Sequence, residues 1–73
     1  MDKTLQKQAE IGKRVAFLRK AKGWTQTELA EKSGISGKSY ISEIESGKHN
    51  LEIGMIVKLE MALHAKIIMV LSS

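Results

Sequence analysis

The stretch "TQTELAEKSGISGKSYISEIESGK", residues 25–48, decides the fold. It opens on Thr25-Gln26-Thr27-Glu28, a capping box. The Thr25 hydroxyl can accept from the amide three residues on, and the Glu28 side chain can reach back to the amide of Thr25. Leu29 and Ala30 then give the helix a buried side, and Gly34 ends it after about two turns. Ser36 or Gly37 opens a second helix, with Ile41 and Ile44 as its buried pair at i, i+3 and Gly47 at its end. The rest of that helix, Lys38, Ser39, Ser42, Glu43 and Ser46, is short or polar, which suits a surface that meets something polar.

The same residues contain Gly37-Lys38-Ser39, the ending of a nucleotide-binding phosphate loop. Such a loop needs four residues between its glycines, a strand before it and a helix after it. Here only Ile35 and Ser36 separate Gly34 from Gly37, and the preceding "TELAEKSG" reads as helix. A chain of 73 residues is also too short for the parallel sheet that carries such a loop.

Upstream, residues 4–22 read as a helix. Ile11, Val15 and Leu18 form its stripe, which closes on Lys22 and extends back to Leu5, and Gly23 ends it. Trp24, just before the cap, is placed to staple onto the following helix. Phe17 lies off the stripe, where it can cover a tail or a dimer contact. Downstream, Asn50 is a cap for a helix over 51–63 with Ile53, Ile56, Leu59 and Leu63 as its core face. The β-branched residues of "KIIMVL" favour a strand over Lys66–Leu71, with a short fifth helix as the competing reading. A lone strand needs a partner edge, and the simplest is the same strand of a second copy. Ile67, Ile68, Met69, Val70 and Leu71 are then the expected dimer contact. The expected organisation is a helical domain over 1–64 and a tail over 65–73.

Twelve Lys and Arg against eight Asp and Glu give a net charge of +4 and a pI near 9.6. That balance suits a polyanionic partner or serves solubility. The chain has no cysteine, so disulfide, zinc-finger and thiol chemistry are out. His49 and His64 have no co-ligand cluster, so neither a metal nor a cofactor is expected. No apolar run approaches the ~20 residues that span a bilayer, and the first ten residues lack the apolar core of a signal peptide. A cytoplasmic domain without membrane contact is the expectation.

Helix, glycine, capping box, short helix, glycine turn, polar helix and a further helix make the helix-turn-helix order. On "IGKRVAFLRKAKGWTQTELAEKSGIS" and "YISEIESGKHN", about residues 11–63, the sequence resembles the Xre family of Cro and phage-repressor DNA-binding domains. The resemblance implies an all-α, lambda-repressor-like bundle of four or five helices that binds double-stranded DNA as a homodimer. Six residues, Ile35 to Tyr40, separate the turn glycine from Ile41, where family members usually carry five. Gly37 is the natural place for the extra residue because glycine tolerates irregular dihedrals.

Counting back from Gly47, the resemblance makes Lys38, Ser39, Ser42 and Glu43 the base readers. Lys38 suits guanine O6 and N7, or a phosphate, and Glu43 suits cytosine N4, or a solvated pairing with a lysine. Thr25 and Gln26, at the start of the second helix, are placed for a phosphate, and the family also uses the glutamine to brace the recognition helix. Tyr40 serves a phosphate or packs over the turn, and Lys48, His49 and Asn50 extend the phosphate-facing loop. The family pairs Arg19 with Glu45, and the arginine also reaches phosphate. The ending "ALHAKIIMVL" is similar to antitoxins of the HipB and HigA kind, which adds a cognate toxin as an alternative partner. No Ser–His, His–carboxylate or metal constellation points to an enzyme.

Overall fold

The computed structural model describes residues 3–48 and 52–67, with side chains from Lys7 onward. Four helices follow one another: α1 (Lys3–Ala21), α2 (Gln26–Ser33), α3 (Lys38–Glu45) and α4 (Ile53–Leu63). Each of α3 and α4 packs on α1 and α2. The all-α bundle expected from the sequence is what forms, and the helix limits of α1, α2 and α3 agree to within about one residue.

The punctuation works as its chemistry requires. Glu28 N–H donates to Thr25 Oγ1 at 3.0 Å, and Thr25 N–H donates to Glu28 Oε1 at 2.8 Å, closing the capping box. Gly34 adopts φ +72° at the end of α2, and the Ile35 N–H turns back to donate to Ala30 O at 2.9 Å. That reversal carries Ile35 into the core, where it is 7% exposed. Gly37 is the residue before α3 and has φ +82°, so the irregular backbone falls on the glycine.

Ile11, Val15, Leu29, Ala30, Ile41, Ile44, Ile56, Leu59 and Leu63 form the core with Ile35 and Ile67. Leu18, Trp24 and Tyr40 pack against its edge. Burying these side chains is worth roughly 1.5–3 kcal/mol for each large one, before entropy is set against it.

Three expectations fail. The cap expected at Asn50, which lies outside the described residues, falls at Glu52. The amides of Met55 and Ile56 donate to the Glu52 carbonyl, which makes Glu52 the flanking residue. Ile53 is 61% exposed and is not part of the core face, because it starts the helix on the stripe shared with Val57 and Met61.

The third failure is Ile67 as a dimer contact. His64 takes a left-handed conformation (φ 53°) and reverses the chain, and the Ile67 N–H donates to Glu60 Oε2 at 2.7 Å. The Ile67 side chain is thereby fully buried in the chain's own core. Neither Lys66 nor Ile67 is in a strand. Ile68, Met69, Val70 and Leu71, which carried the strand and antitoxin readings, lie outside the described residues. Phe17 is 65% exposed, with no tail over it among the described residues.

Candidate nucleic-acid interface

The anchor of the site is a buried ionic knot between α1, α2 and α3. Arg19 Nε donates to Glu45 Oε2 at 2.6 Å and Nη2 donates to Glu45 Oε1 at 3.1 Å, a bidentate pair. Arg19 Nη1 donates to the Trp24 carbonyl at 2.8 Å, pinning the turn between α1 and α2. Gln26 Nε2 adds a bond to Glu45 Oε1 at 3.1 Å. The two charged side chains are only 12% and 9% exposed. Hydrogen bonding to Glu45 raises the Arg19 pKa above its already high ordinary value, outweighing the opposite effect of burial. Arg19 is therefore charged at every accessible pH.

Arg19 and Glu45 pair as the resemblance implied. Nε, Nη1 and Nη2 each donate inside the chain and the side chain is 12% exposed, so the guanidinium ties α1 to α3 and to the turn before α2. Gln26 braces α3 through Glu45. The Thr25 hydroxyl is engaged as an acceptor in the cap and retains its proton for an outside acceptor.

A backbone contact holds the same end of α3. Gly12 of α1 lies so close that a Cβ there would stand 2.3 Å from Ile44 O and 2.8 Å from Glu45 O. One turn earlier on α1, Ala9 abuts Gly47, whose φ is +78°. The C-terminal end of α3 is thus clamped by α1. Sequence reasoning missed Gly12, although a glycine inside an otherwise regular helical stripe was the available signal.

With Ile41 and Ile44 turned inward, α3 exposes Lys38, Ser39, Ser42, Glu43 and Ser46. At 100° per residue, Lys38, Ser39, Ser42 and Ser46 share an arc of about 100° opposite the buried pair, with Glu43 at its edge. Lys48 follows on the surface. Tyr40 is half-buried and packs against the core edge, so its ring is structural whatever its hydroxyl meets. His49 and Asn50 lie outside the described residues. Trp24, half-buried, has Lys22 Nζ at 5.4 Å and Lys32 Nζ at 4.9 Å from its ring centroid. Among the described residues no group of three or more His, Asp or Glu is placed to hold a metal, and no helix is long and apolar enough to cross a membrane.

A short helix locked at a fixed angle to its predecessor, with a polar face outward, defines a helix-turn-helix domain. Residues 15–67 match the helix-turn-helix family HTH_3, and the chain belongs to that family of the Xre type. It is similar to the competence pilus inhibition repressor of Acinetobacter baylyi, at 40% identity over 58 residues. That match covers 80% of this chain and 52% of the relative, so the chain spans about half of that protein's length. Among solved structures it is similar to the restriction-modification controller protein C.AhdI of Aeromonas hydrophila, with TM-score 0.78 and 35% identity. That likeness covers 86% of this chain and 94% of the controller.

Proposed function

We propose that the chain is a DNA-binding transcriptional regulator, a homodimeric repressor that lays α3 in the major groove of a roughly palindromic operator. The observation that carries the reading is the exposed polar face of α3, held rigidly by the Arg19–Glu45–Gln26 knot behind it. Similarity to a repressor and to a controller protein supports it.

In this reading Lys38, Ser39, Ser42 and Glu43 meet base edges, each good bidentate contact contributing about 1–3 kcal/mol of discrimination. Glu43 facing DNA lowers general affinity, so it acts as a reader or as a filter against wrong sequences. Thr25, Tyr40, Lys48, His49 and Asn50 meet phosphates, which position the helix without reading sequence. The location that follows is the cytoplasm, at the nucleoid.

The test is binding to the DNA upstream of the chain's own gene against random duplex, over a range of salt. The expected result is tight binding to the upstream fragment, with log K falling with log salt at about −0.9 per phosphate neutralised. Equal, weak binding to both fragments that fades together with salt would sink the proposal.

A further inference from the structure

The excess positive charge of the chain lies away from its polar helix. On the exposed arc of α3, Lys38 and Glu43 offset one another in charge. Along α1 and just past its end, Lys13, Lys20 and Lys22 are exposed and Arg14 is half-buried. None of these four is ion-paired among the described residues, and together they match the net charge of +4 of the whole chain. The acid nearest to them on α1, Glu10, is paired with Lys7 at 3.8 Å.

Among these cations stands Phe17, 65% exposed. The other two aromatic residues of the chain, Trp24 and Tyr40, are half-buried. At 100° per residue, Lys13, Arg14 and Lys20 lie within about 60° of Phe17 around the axis of α1, each about one turn away. Gly12, which marks the side of α1 that touches α3, lies about 140° from Phe17. The ring and its cations therefore face away from both the core and the recognition helix.

We infer that this outer face of α1 docks an acidic peptide segment of another protein, with an apolar side chain of that segment on the Phe17 ring and its carboxylates on Lys13, Arg14 and Lys20. Such docking does not depend on DNA binding by α3. Charge complementarity sets the sign of the partner, and the ring sets its kind. Duplex DNA meets proteins first through its phosphates, from which a phenyl ring gains nothing. A lipid surface is held by a whole apolar stripe of a helix, but the stripe of α1, Ile11 and Val15, is buried in the core and leaves Phe17 alone outside. A single aromatic anchor inside a charged rim is instead the pattern of a small protein contact, in which the rim orients the partner and speeds its approach. Arg14 donates to the Lys66 carbonyl through Nη2 at 3.5 Å, which leaves the other donors of its guanidinium for a carboxylate.

The probe is a helical peptide of about four turns with leucine at its midpoint and glutamates one turn to either side. It is titrated into the full chain by calorimetry and followed by backbone NMR. The expected result is one-to-one binding that shifts the amides around Phe17 and weakens as salt rises. Phe17→Ser changes an exposed position and no charge, and should weaken binding at least about tenfold. The same peptide with serine in place of leucine should lose as much on the unaltered chain, whatever Phe17→Ser does to folding. Lys13→Glu together with Lys20→Glu should abolish binding, and a peptide with lysines in place of its glutamates should bind that variant instead. No binding of the leucine peptide, or equal binding of the serine peptide, overturns the docking site. Phe17-dependent binding to phosphatidylserine vesicles without binding to the peptide overturns it in favour of a lipid surface. Duplex DNA affinity should be the same in Phe17→Ser as in the unaltered chain, and a loss there as large as the loss for the peptide would assign this face to DNA and overturn the docking site.

Discussion

At the scale of single residues, Glu45 carries more than its exposed neighbours on α3. Its carboxylate accepts two bonds from Arg19 and one from Gln26, and it is 9% exposed. Glu45→Ala leaves the Arg19 guanidinium buried without its counter-charge, and removing one partner of a buried pair costs about 3–5 kcal/mol. The edges of the site stay in contact with water, so the lower figure applies, about 3 kcal/mol. For a domain of this size that lowers Tm by roughly 12–24 °C, and a thermal melt with an unchanged midpoint would refute the role. Glu28 makes a subtler case. The backbone N–H of Thr25 is the main cause that holds its carboxyl below the ordinary value, with the Thr25 hydroxyl bond and Lys32 adding to the effect. A carboxyl depressed in the folded state stabilises the fold above its unfolded pKa and loses that contribution as pH falls through the folded one. Melting temperature should therefore fall below about pH 4.5 more steeply in the wild type than in Glu28→Gln, whose amide does not titrate. Parallel profiles for the two proteins would assign the acid sensitivity elsewhere.

At the scale of elements, what matters is how α3 is aimed. Gly12 allows α1 to touch the carbonyls of Ile44 and Glu45, and a Cβ at 2.3 Å from a backbone oxygen has no flexible neighbour to displace. Alanine is the better helix former by up to about 1 kcal/mol, yet forced separation of two packed helices costs about 1–3 kcal/mol. Gly12→Ala should therefore lower stability by about 1–2 kcal/mol net in a urea melt and reduce DNA affinity beyond its effect on folding. A stability gain would show that α1 and α3 are not in contact there. The helices themselves were legible because their signals are local: the capping box at Thr25, the terminating Gly34, and the pair Ile41 and Ile44. The clamp was not, because Gly12 and Ile44 are remote in sequence and the reason for the glycine lies on another helix. Ile67 failed for a related cause. Its β-branched neighbours suggested a strand, but the reversal at His64 and the bond from Ile67 to Glu60 turned it into the core. Of the site, the buried pair was readable through the family resemblance, and the exposure of Lys38, Ser39, Ser42 and Glu43 through the helical period. The outward stripe of α4 was hidden because Ile53 fits either face until the helix phase is known.

At the scale of the whole molecule, one domain with a single exposed recognition helix is a weak reader of DNA. In the proposed reading α3, a helix of eight residues, meets only a few base pairs, and a second copy would supply the affinity beyond the generic attraction of a +4 chain. Two copies related by a two-fold axis place their α3 helices on the same side of the duplex when the half-sites lie one turn apart, ~34 Å or about 10 base pairs. The geometry makes a sharp prediction for an operator once its half-sites are defined. Inserting five base pairs between them turns one half-site to the far side of the duplex, where a rigid dimer cannot follow, and affinity should fall to that of a single half-site. Inserting ten restores the facing but lengthens the span by ~34 Å, so binding should recover only if the dimer or the DNA yields. Gel-shift titrations of the three spacings at fixed salt decide the matter. Undiminished binding at the five-base-pair insertion would mean that the two recognition helices act independently.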